Sequence, residues 1–270
     1  MKLSNYHTHT CFCDGKDTPR RMVEEAVRLG CPEIGFSGHS YQSFDESFCM
    51  SRTGTLEYCR ELAALRQEFD GQVRILTGIE QEFYAEPAEV EYDYVIGSVH
   101  YVYRHGEYLP VDMGDEVQQE LVREHYNGDY YAFAEDYYAT VAQVFEKTRC
   151  NIIGHFDLVT KYNENNRLFD TDHPRYRAAA QAALDVLLAT PACFEINTGA
   201  ISRGCRTTPY PETVYWEQIA RSGKPFVLSS DCHAAEHLLF GLEEIAEDLR
   251  QSGYRYCLSA REFSGGGEKT

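Results

Sequence analysis

The sequence lacks any long apolar run and is short of positive charge. None of its apolar stretches approaches the roughly 18–20 residues that a helix needs to span a bilayer, and the polar N-terminus has no signal-peptide pattern. The 270 residues include 43 acidic and only 25 basic ones, giving a formal net charge of −18. Because such a surface repels nucleic-acid backbones and anionic lipids, we expect a cytoplasmic protein that binds no membrane and no long nucleic acid.

Cys-x-x-Cys pairs are also missing, although the chain contains ten cysteines. A chain of this length without a secretory signal needs no disulfide framework, so we expect reduced thiols that mostly pack in the core. Cys11 and Cys13 are separated by one residue, which is a weak signal for thiolate ligation of a metal. Core packing is the favoured interpretation of this pair.

Short apolar runs alternate with longer helical patterns along most of the chain. Strands are expected at 2–6, 33–37, 73–78, 92–98, 150–154, 193–197 and 225–230. Helices are expected at 18–30, 55–71, 129–148, 174–190, 211–223 and 235–253. Strands that alternate with helices predict an α/β fold with a parallel sheet, most simply closed into a barrel.

Neither a repeat nor a linker divides the chain, so residues 1–263 are expected to form a single domain. Residues 101–128 interrupt the alternation after the fourth strand, and we expect this insertion to lie over the mouth of the barrel. The Gly-rich stretch 264–270 is expected to be a flexible tail.

Potential metal ligands follow nearly every predicted strand. Six of the ten histidines and three acidic residues stand at or just beyond strand ends, namely His7, His9, Asp14, His39, Glu80, His100, His155, Asp231 and His233. In a barrel of parallel strands the carboxyl ends converge on one face, where active sites form. Residues far apart in the chain are therefore expected to share one pocket and to bind metal ions there.

The spacing of the first two histidines supports this interpretation. Residues i and i+2 of a strand point to the same side, so His7 and His9 can hold one ion together. Nine ligands exceed the about four to six that one ion uses, which favours two or three divalent ions. Imidazole and carboxylate ligands suit Zn, Fe or Mn. The remaining histidines are expected at the surface: His105, His125, His173 and His237.

Six motifs make the chain resemble the PHP (polymerase and histidinol phosphatase) family. They are HTHTCFCDG, GFSGH, GIEQEF, GSVH, GHFDLV and SSDCH, which run in the family's order from residue 7 to residue 233. The resemblance implies a distorted (β/α)7 barrel of the TIM-like kind, with a metal site at the C-terminal ends of the strands. This agrees with the seven strands expected from the apolar pattern.

The resemblance also implies how the ligands are shared between three ions. The first ion would be held by His7, His9, Glu80 and Asp231. Glu80 would bridge to a second ion, whose other ligands would be His100 and His155. The third ion would be held by Asp14, His39 and His233. Three of these ligands are also the expected catalytic residues: Glu80, Asp231 and His233.

Within the family, the chain most resembles stand-alone histidinol-phosphate phosphatases, through GSVHY, GHFDLV and EINTGAISRG. The implied function is hydrolysis of the phosphomonoester L-histidinol phosphate in histidine biosynthesis, by attack of a metal-activated hydroxide. Arg203 is expected to bind the phosphate. Lys161, where related sequences often have arginine, is the second candidate, although an ammonium group lacks the forked geometry of a guanidinium.

The ammonium and imidazole of such a substrate would suit an acidic mouth, for which the candidates are Glu82, Asp112, Glu116 and Asp157. A phosphodiesterase acting on nucleotides or oligonucleotides and a protein-tyrosine phosphatase are alternatives on the same scaffold. An amidohydrolase is a weaker alternative, because its ions are commonly bridged by a modified lysine and the predicted strand ends offer Glu80 instead. A non-catalytic metal-binding module would not need ligands on so many strands. The sequence leaves the oligomeric state open.

Overall fold

Parallel strands form the centre of the computed structural model, which describes residues 2–87 and 90–264. The strands are β1 (Glu33–Phe36), β2 (Arg74–Glu82), β3 (Tyr94–Ser98), β4 (Tyr101–Arg104), β5 (Glu107–Pro110), β6 (Ile152–Ile153), β7 (Cys193–Asn197) and β8 (Phe226–Ser229). The main sheet has the order β1-β2-β3-β6-β7-β8, and all its pairings are parallel. The two remaining strands, β4 and β5, form a separate antiparallel hairpin.

The N-terminal segment, residues 2–10, occupies the seventh position and curls the sheet towards closure. On one side Gly35 N donates to Asn5 O at 2.8 Å, and on the other side His9 N donates to Cys232 O at 2.9 Å. The strand predicted at 2–6 makes only isolated bridges, because this backbone crosses from β1 to the continuation of β8 and runs along neither. The predicted distorted TIM-like barrel is confirmed.

Helices pack around the strands. They are α1 (Pro19–Leu29), α2 (Arg52–Glu68), α3 (Asp115–Tyr126), α4 (Tyr130–Val141), α5 (Val144–Thr148), α6 (Pro174–Leu188), α7 (Gly199–Ser202), α8 (Trp216–Arg221) and α9 (Leu242–Ser252). Short 3-10 turns lie at Leu158–Thr160, Glu164–Asn166, Thr213–Tyr215, Ala235–His237 and Ala260–Glu262.

The helix boundaries agree with the sequence at the first helix and depart from it later. Thr18 caps the start of α1, whose first residue is Pro19. Gly30, with a φ of +71°, caps its end. The helix predicted at 129–148 is divided into α4 and α5, and that predicted at 235–253 is a 3-10 turn followed by α9. Gly241, with a φ of +70°, separates the last two, because a left-handed residue interrupts helical hydrogen bonding.

The predicted insertion, residues 101–128, consists of the β4–β5 hairpin, a connection and α3. The connection brings Asp112 and Met113 to the wall of the cavity described below. Of the predicted tail, residues 265–270 lie outside the described residues.

Aromatic side chains fill the end of the barrel where the strands begin. Tyr6, Tyr94 and Phe263 pack edge to face, with ring centroids 4.9 to 6.2 Å apart. The C-terminal segment is fixed beneath the strands because Glu33 accepts hydrogen bonds from Tyr6 Oη at 2.6 Å and from Ala260 N at 2.7 Å. This end of the barrel is closed by packing, and the carboxyl ends of the strands remain open to a cavity.

Among the described residues, none of the helices has the length and apolar character needed to cross a bilayer. All ten cysteines are free thiols, and five of them are buried, so half of the cysteines, and not most of them, have the expected place in the core.

Asn5 joins the N-terminal segment to the end of β8. Its side chain is 1% exposed. The Nδ2 group donates to Ser230 Oγ at 2.6 Å and to Leu238 O at 2.9 Å, while Oδ1 accepts from Ser230 N at 3.2 Å. One buried amide therefore satisfies polar groups on both sides of the closure.

Replacing Asn5 by alanine should lower the free energy of unfolding by roughly 2–4 kcal/mol, because several buried polar groups lose their partner at once. Urea unfolding of Asn5→Ala would measure this loss. The exposed substitution Gln251→Ala on α9 is the control and should change stability by less than about 0.5 kcal/mol. An equally small effect for Asn5→Ala would contradict its role in closure.

Candidate metal centre

The nine predicted ligands lie together at the carboxyl ends of the strands. His7 and His9 belong to the N-terminal segment, and Asp14 belongs to the loop that follows it. Glu80 lies within β2. The other five follow β1, β3, β6 or β8 within four residues: His39, His100, His155, Asp231 and His233. Because parallel strands end at the same face, residues far apart in the chain become neighbours.

Four donor atoms converge at the base of this group. Glu80 Oε2 lies 3.4 Å from His7 Nε2 and 3.6 Å from His9 Nε2. Asp231 Oδ1 lies 3.7 Å from His7 Nε2 and 3.2 Å from His9 Nε2. Donors held about 2.1 Å from one ion at tetrahedral angles are about 3.4 Å apart. His7, His9 and Glu80 therefore form one donor group, and Asp231 lies within 3.7 Å of both imidazole nitrogens of that group.

The second oxygen of Glu80 faces another pair of imidazoles. Its Oε1 lies 2.9 Å from His155 Nε2 and 3.4 Å from His100 Nε2. The two oxygens of one carboxylate thus face two separate sets of nitrogen donors. This is the arrangement of a carboxylate able to bridge two ions.

A more exposed group surrounds Asp14. This carboxylate lies 3.1 Å from His233 Nε2, 3.7 Å from His39 Nε2 and 3.6 Å from His9 Nδ1. His39 also lies 2.9 Å from Glu80 through its Nδ1. This grouping differs from the ligand sets that the family resemblance implies. His9 and His39 each lie near Glu80 on one side and near Asp14 on the other. The rings of His9 and His39 are neighbours, with centroids 4.3 Å apart. Each ring has one nitrogen towards Glu80 and the other towards Asp14.

Unpartnered polar atoms mark the positions where cations fit. Within the described chain, His7 Nε2, His9 Nε2 and Glu80 Oε2 are buried and have no hydrogen-bond partner, whereas buried polar atoms normally find one. The three acidic ligands and two further carboxylates behind them concentrate negative charge that bound cations would neutralise. The residues present therefore fit bound divalent metal ions.

The pKa values favour ionised carboxylates and divide the imidazoles into two kinds. Burial alone would raise the pKa of Glu80, but the facing imidazoles, above all that of His7, hold it well below its ordinary value. Burial would likewise raise the pKa of Asp231, and the guanidinium of Arg203 keeps it low instead. Burial beside other imidazoles lowers the pKa of His9 to about 3. Burial would also lower the pKa of His7, His39 and His100, but the carboxylates that face them raise it instead. In these three rings a bound cation would therefore take the place of a proton.

Two buried glutamates contact the rear of the ligand rings. Glu195 Oε2 lies 2.9 Å from His7 Nδ1, and Glu82 Oε2 lies 2.9 Å from His100 Nδ1. Glu195 is not among the site residues predicted from the sequence, and Glu82 is predicted there only as a partner for a substrate cation. One signal could have identified Glu195: it is the single charged residue of an apolar strand, and a buried charge requires a partner.

A cavity of about 380 Å³ opens onto the group, a volume in the range of small-molecule sites. Seven of the nine predicted ligands line it, and the fully buried His7 and His9 lie beneath them. Its apolar wall is formed by Phe48, Met113 and Leu158.

Both predicted phosphate-binding residues face this cavity, each paired with an acidic residue. Arg203 donates to Asp231 O at 2.9 Å and to Asp231 Oδ2 at 3.1 Å, and its Nη1 lies 3.0 Å from His233 Nδ1. Lys161 Nζ donates to Asp112 Oδ2 at 2.9 Å. Two positive charges thus lie on the wall of a cavity with an acidic floor.

Of the four acidic residues expected at the mouth, only Asp112 lines the cavity. Glu82 is buried behind His100, Glu116 is exposed on α3, and Asp157 is fully buried away from the opening. The acidic mouth expected from the sequence is therefore reduced to one carboxylate.

The remaining histidines and the cysteine pair do not belong to the donor groups found among the described residues. His105 is exposed, and the other three are partly buried: His125, His173 and His237. Cys13 Sγ lies 3.6 Å from His9 Nδ1, and Cys11 is exposed.

A distorted barrel with imidazole and carboxylate donors at its strand ends is the arrangement expected of PHP proteins, and the chain belongs to this family: the PHP domain matches residues 5–199. The "Probable histidinol-phosphatase" of Deinococcus radiodurans is 29% identical over 265 residues, covering 94% of this chain and 95% of that one. The histidinol-phosphatase of Bacillus subtilis is 25% identical over 273 residues, covering 92% and 99%.

A solved structure has the same fold. The histidinol phosphate phosphatase of Lactococcus lactis subsp. lactis, complexed with Zn, L-histidinol and phosphate, matches with a TM-score of 0.70 and 24% identity, covering 96% of this chain and 97% of that one. The family predicted from the motifs is confirmed, and the names of the curated relatives support the predicted enzyme class, a phosphatase.

Gly199 allows Asp231 to lie where it does. A Cβ atom at position 199 would be 2.7 Å from Asp231 Cβ and 2.8 Å from Asp231 Oδ2, so a larger residue would displace this carboxylate. Only a glycine leaves room for the observed contact.

Gly199→Ala should therefore weaken binding of Zn²⁺ by roughly 10–100-fold, a loss typical of disturbed metal-site geometry. Competition with a chromophoric chelator would measure the affinity. Gly114→Ala is the matched control, because a Cβ there would lie no closer than 3.6 Å to any neighbour. Affinity equal to that of the unmodified protein in Gly199→Ala would contradict the steric argument.

Proposed function

We propose that this chain is a metal-dependent phosphomonoesterase that converts L-histidinol phosphate to L-histidinol and phosphate in histidine biosynthesis. The observation that carries the proposal is the meeting of nine imidazole and carboxylate residues with Arg203 and Lys161 around one cavity. The two relatives align over nearly their whole length, and the Lactococcus lactis complex holds the corresponding products with Zn. Such an enzyme would act in the cytoplasm on a small phosphorylated substrate.

Two or three divalent ions, either Zn, Fe or Mn, belong to this proposal. The two buried groups, which share Glu80, would hold two of them. The group around Asp14 would hold the third more weakly, because the Asp14 side chain is 33% exposed whereas that of Glu80 is 1% exposed. Bound ions of this kind supply an activated water and neutralise charge on the phosphoryl group.

The chain's own residues would orient and neutralise the phosphoryl group. Arg203 can offer two parallel N–H donors to phosphoryl oxygens, and its contacts with Asp231 and His233 fix its direction. Lys161 would add a point charge on the cavity wall. The proposed catalytic residues are Glu80, which faces both buried groups, and Asp231 and His233, which lie between the ligands and Arg203.

Asp112 is the proposed partner of the substrate's ammonium group. Burial would raise the pKa of Asp112, but Lys161 and the nearby imidazoles lower it to about 2, so the carboxylate is ionised at neutral pH. A substrate that carries both a phosphate and an ammonium group would place its phosphate beside Lys161 and its ammonium beside Asp112. Each of the two residues would then still have an opposite charge next to it. The apolar wall beside them would contact the imidazole ring.

A phosphate-release screen with Mn, Zn and Fe tests the reaction and its ligands. The unmodified protein should hydrolyse histidinol phosphate faster than nucleotides, oligonucleotides or phosphotyrosine. His9→Ala and Asp231→Asn should lower the rate by roughly 10²–10³-fold or more while circular dichroism stays unchanged. His125→Ala, outside the donor groups, is the control. Near-native rates in the two ligand variants would refute the proposal.

Asp112→Asn tests the recognition of the ammonium group. This change should raise KM for histidinol phosphate about tenfold, which corresponds to about 1.4 kcal/mol, and should affect p-nitrophenyl phosphate much less because that ester has no ammonium. Lys161→Met is the matched variant and should slow both substrates. Equal losses on both substrates in Asp112→Asn would mean that Asp112 only holds Lys161, contrary to the proposal.

A further inference from the structure

We propose that Glu195 is a positioning residue that keeps the ligands of two neighbouring ions in register, namely His7 of one buried group and His155 of the other. The inference rests on the metal centre of the proposed function and is independent of the substrate.

Three N–H donors converge on the Glu195 carboxylate, whose residue is 1% exposed. Its Oε2 accepts from His7 Nδ1 at 2.9 Å. Its Oε1 accepts from His155 N at 2.7 Å and from Asn197 Nδ2 at 2.9 Å. Each oxygen of Glu195 is therefore assigned to the ligand of a different group.

The contact with His7 fixes the direction of its ring. Because Nδ1 donates to Glu195, the neutral ring of His7 carries its lone pair on Nε2, which is the unpartnered atom that faces Glu80 and Asp231. A histidine that binds a metal normally donates its other ring N–H to such a partner, which orients the ring and selects the tautomer.

The contact with His155 takes the place of a backbone hydrogen bond of the sheet. Strand β6 has only two residues, and Gly154 N, which donates to Gly97 O at 2.9 Å, is its last backbone link to β3. His155 N then donates to the Glu195 side chain instead of a backbone carbonyl. Glu195 thus holds the backbone beyond β6 at one further residue, His155, which is the predicted ligand.

Asn197 connects the same carboxylate to a further ligand. Its Nδ2 lies 2.9 Å from Glu195 Oε1 and 3.3 Å from Asp231 Oδ2. Strand β7 supplies both Glu195 and Asn197, which as residues i and i+2 point to the same side of the strand. One strand that carries no predicted ligand therefore supports ligands of both buried groups.

The position requires a carboxylate in particular. All three of its partners are N–H groups, so both oxygens must accept hydrogen bonds. Glutamine has nearly the same shape, but its NH₂ group would face either the ring of His7 or the backbone N–H of His155. Glu195→Gln therefore removes at least one of the two contacts without removing volume.

Zinc binding to the metal-free protein tests this inference, with affinities from chelator competition and stoichiometry from elemental analysis. Glu195→Gln should weaken at least one equivalent of Zn²⁺ by roughly 10–100-fold, and Glu195→Met, which removes both acceptor oxygens, should weaken two equivalents. Glu82→Gln, which removes the partner of His100 only, should weaken one. Glu33→Gln, a buried carboxylate at the opposite end of the barrel, should lower Tm without changing either affinity. The increase in Tm on adding Zn²⁺ should shrink in Glu195→Gln and stay unchanged in Glu33→Gln.

Several results would overturn the inference: native affinities in Glu195→Gln, a loss confined to one equivalent in Glu195→Met, or an equal loss in Glu33→Gln. If Glu195→Gln does not fold, Glu195→Asp replaces it. The shorter carboxylate cannot reach both His7 and His155, so one equivalent should weaken, and unchanged binding would refute the proposal. An unmodified protein that binds no Zn²⁺ would refute the metal centre itself, and this result is distinct from a failure at Glu195.

Discussion

The carboxylate of Glu80, shared between two sets of imidazoles, is the contact on which the rest of the site depends. Unlike most of the other predicted ligands, Glu80 lies within a strand, and its backbone is hydrogen-bonded to the continuation of β1 through Gly38 O and Ser40 N. Its position is therefore fixed by the sheet before any ion binds. A buried carboxylate with one unpartnered oxygen is costly in the absence of a cation, so the fold and the proposed metal centre are physically linked.

The barrel is asymmetric along its axis for a related reason. Where the strands begin, Tyr6, Tyr94 and Phe263 fill the interior and exclude water. Where the strands end, the interior is filled by charged and polar side chains that leave a cavity above them. Apolar packing at one end provides rigidity, and the opposite end can then tolerate a concentration of like charges. The residues that face the cavity come from strand ends, from the loops that follow them and from the connection that carries Asp112.

Much of the fold could be predicted from periodicity and caps, and the exceptions have identifiable causes. The first strand is recognisable as an apolar segment, but its lack of a regular ladder depends on how it crosses between β1 and the end of β8. The division of the helix predicted at 235–253 results from the left-handed backbone at Gly241, whereas a glycine within a helical pattern is ambiguous in the sequence. Glu82 and Asp112 have similar local contexts, and only the tertiary structure distinguishes a buried partner of His100 from a residue on the cavity wall.

The sequence by itself determined the family, the chemical types of the candidate ligands and their attachment to strand ends, because strand periodicity and residue identity are local properties. Tertiary structure alone decided which predicted ligands share a group, that His9 and His39 each face two groups, and that Glu195 reaches both His7 and His155. These contacts depend on strand register, curvature and ring orientation, which arise from packing between segments up to about two hundred residues apart. No local pattern in the chain encodes them, since the same residues at the same spacing would meet differently in a sheet of another curvature.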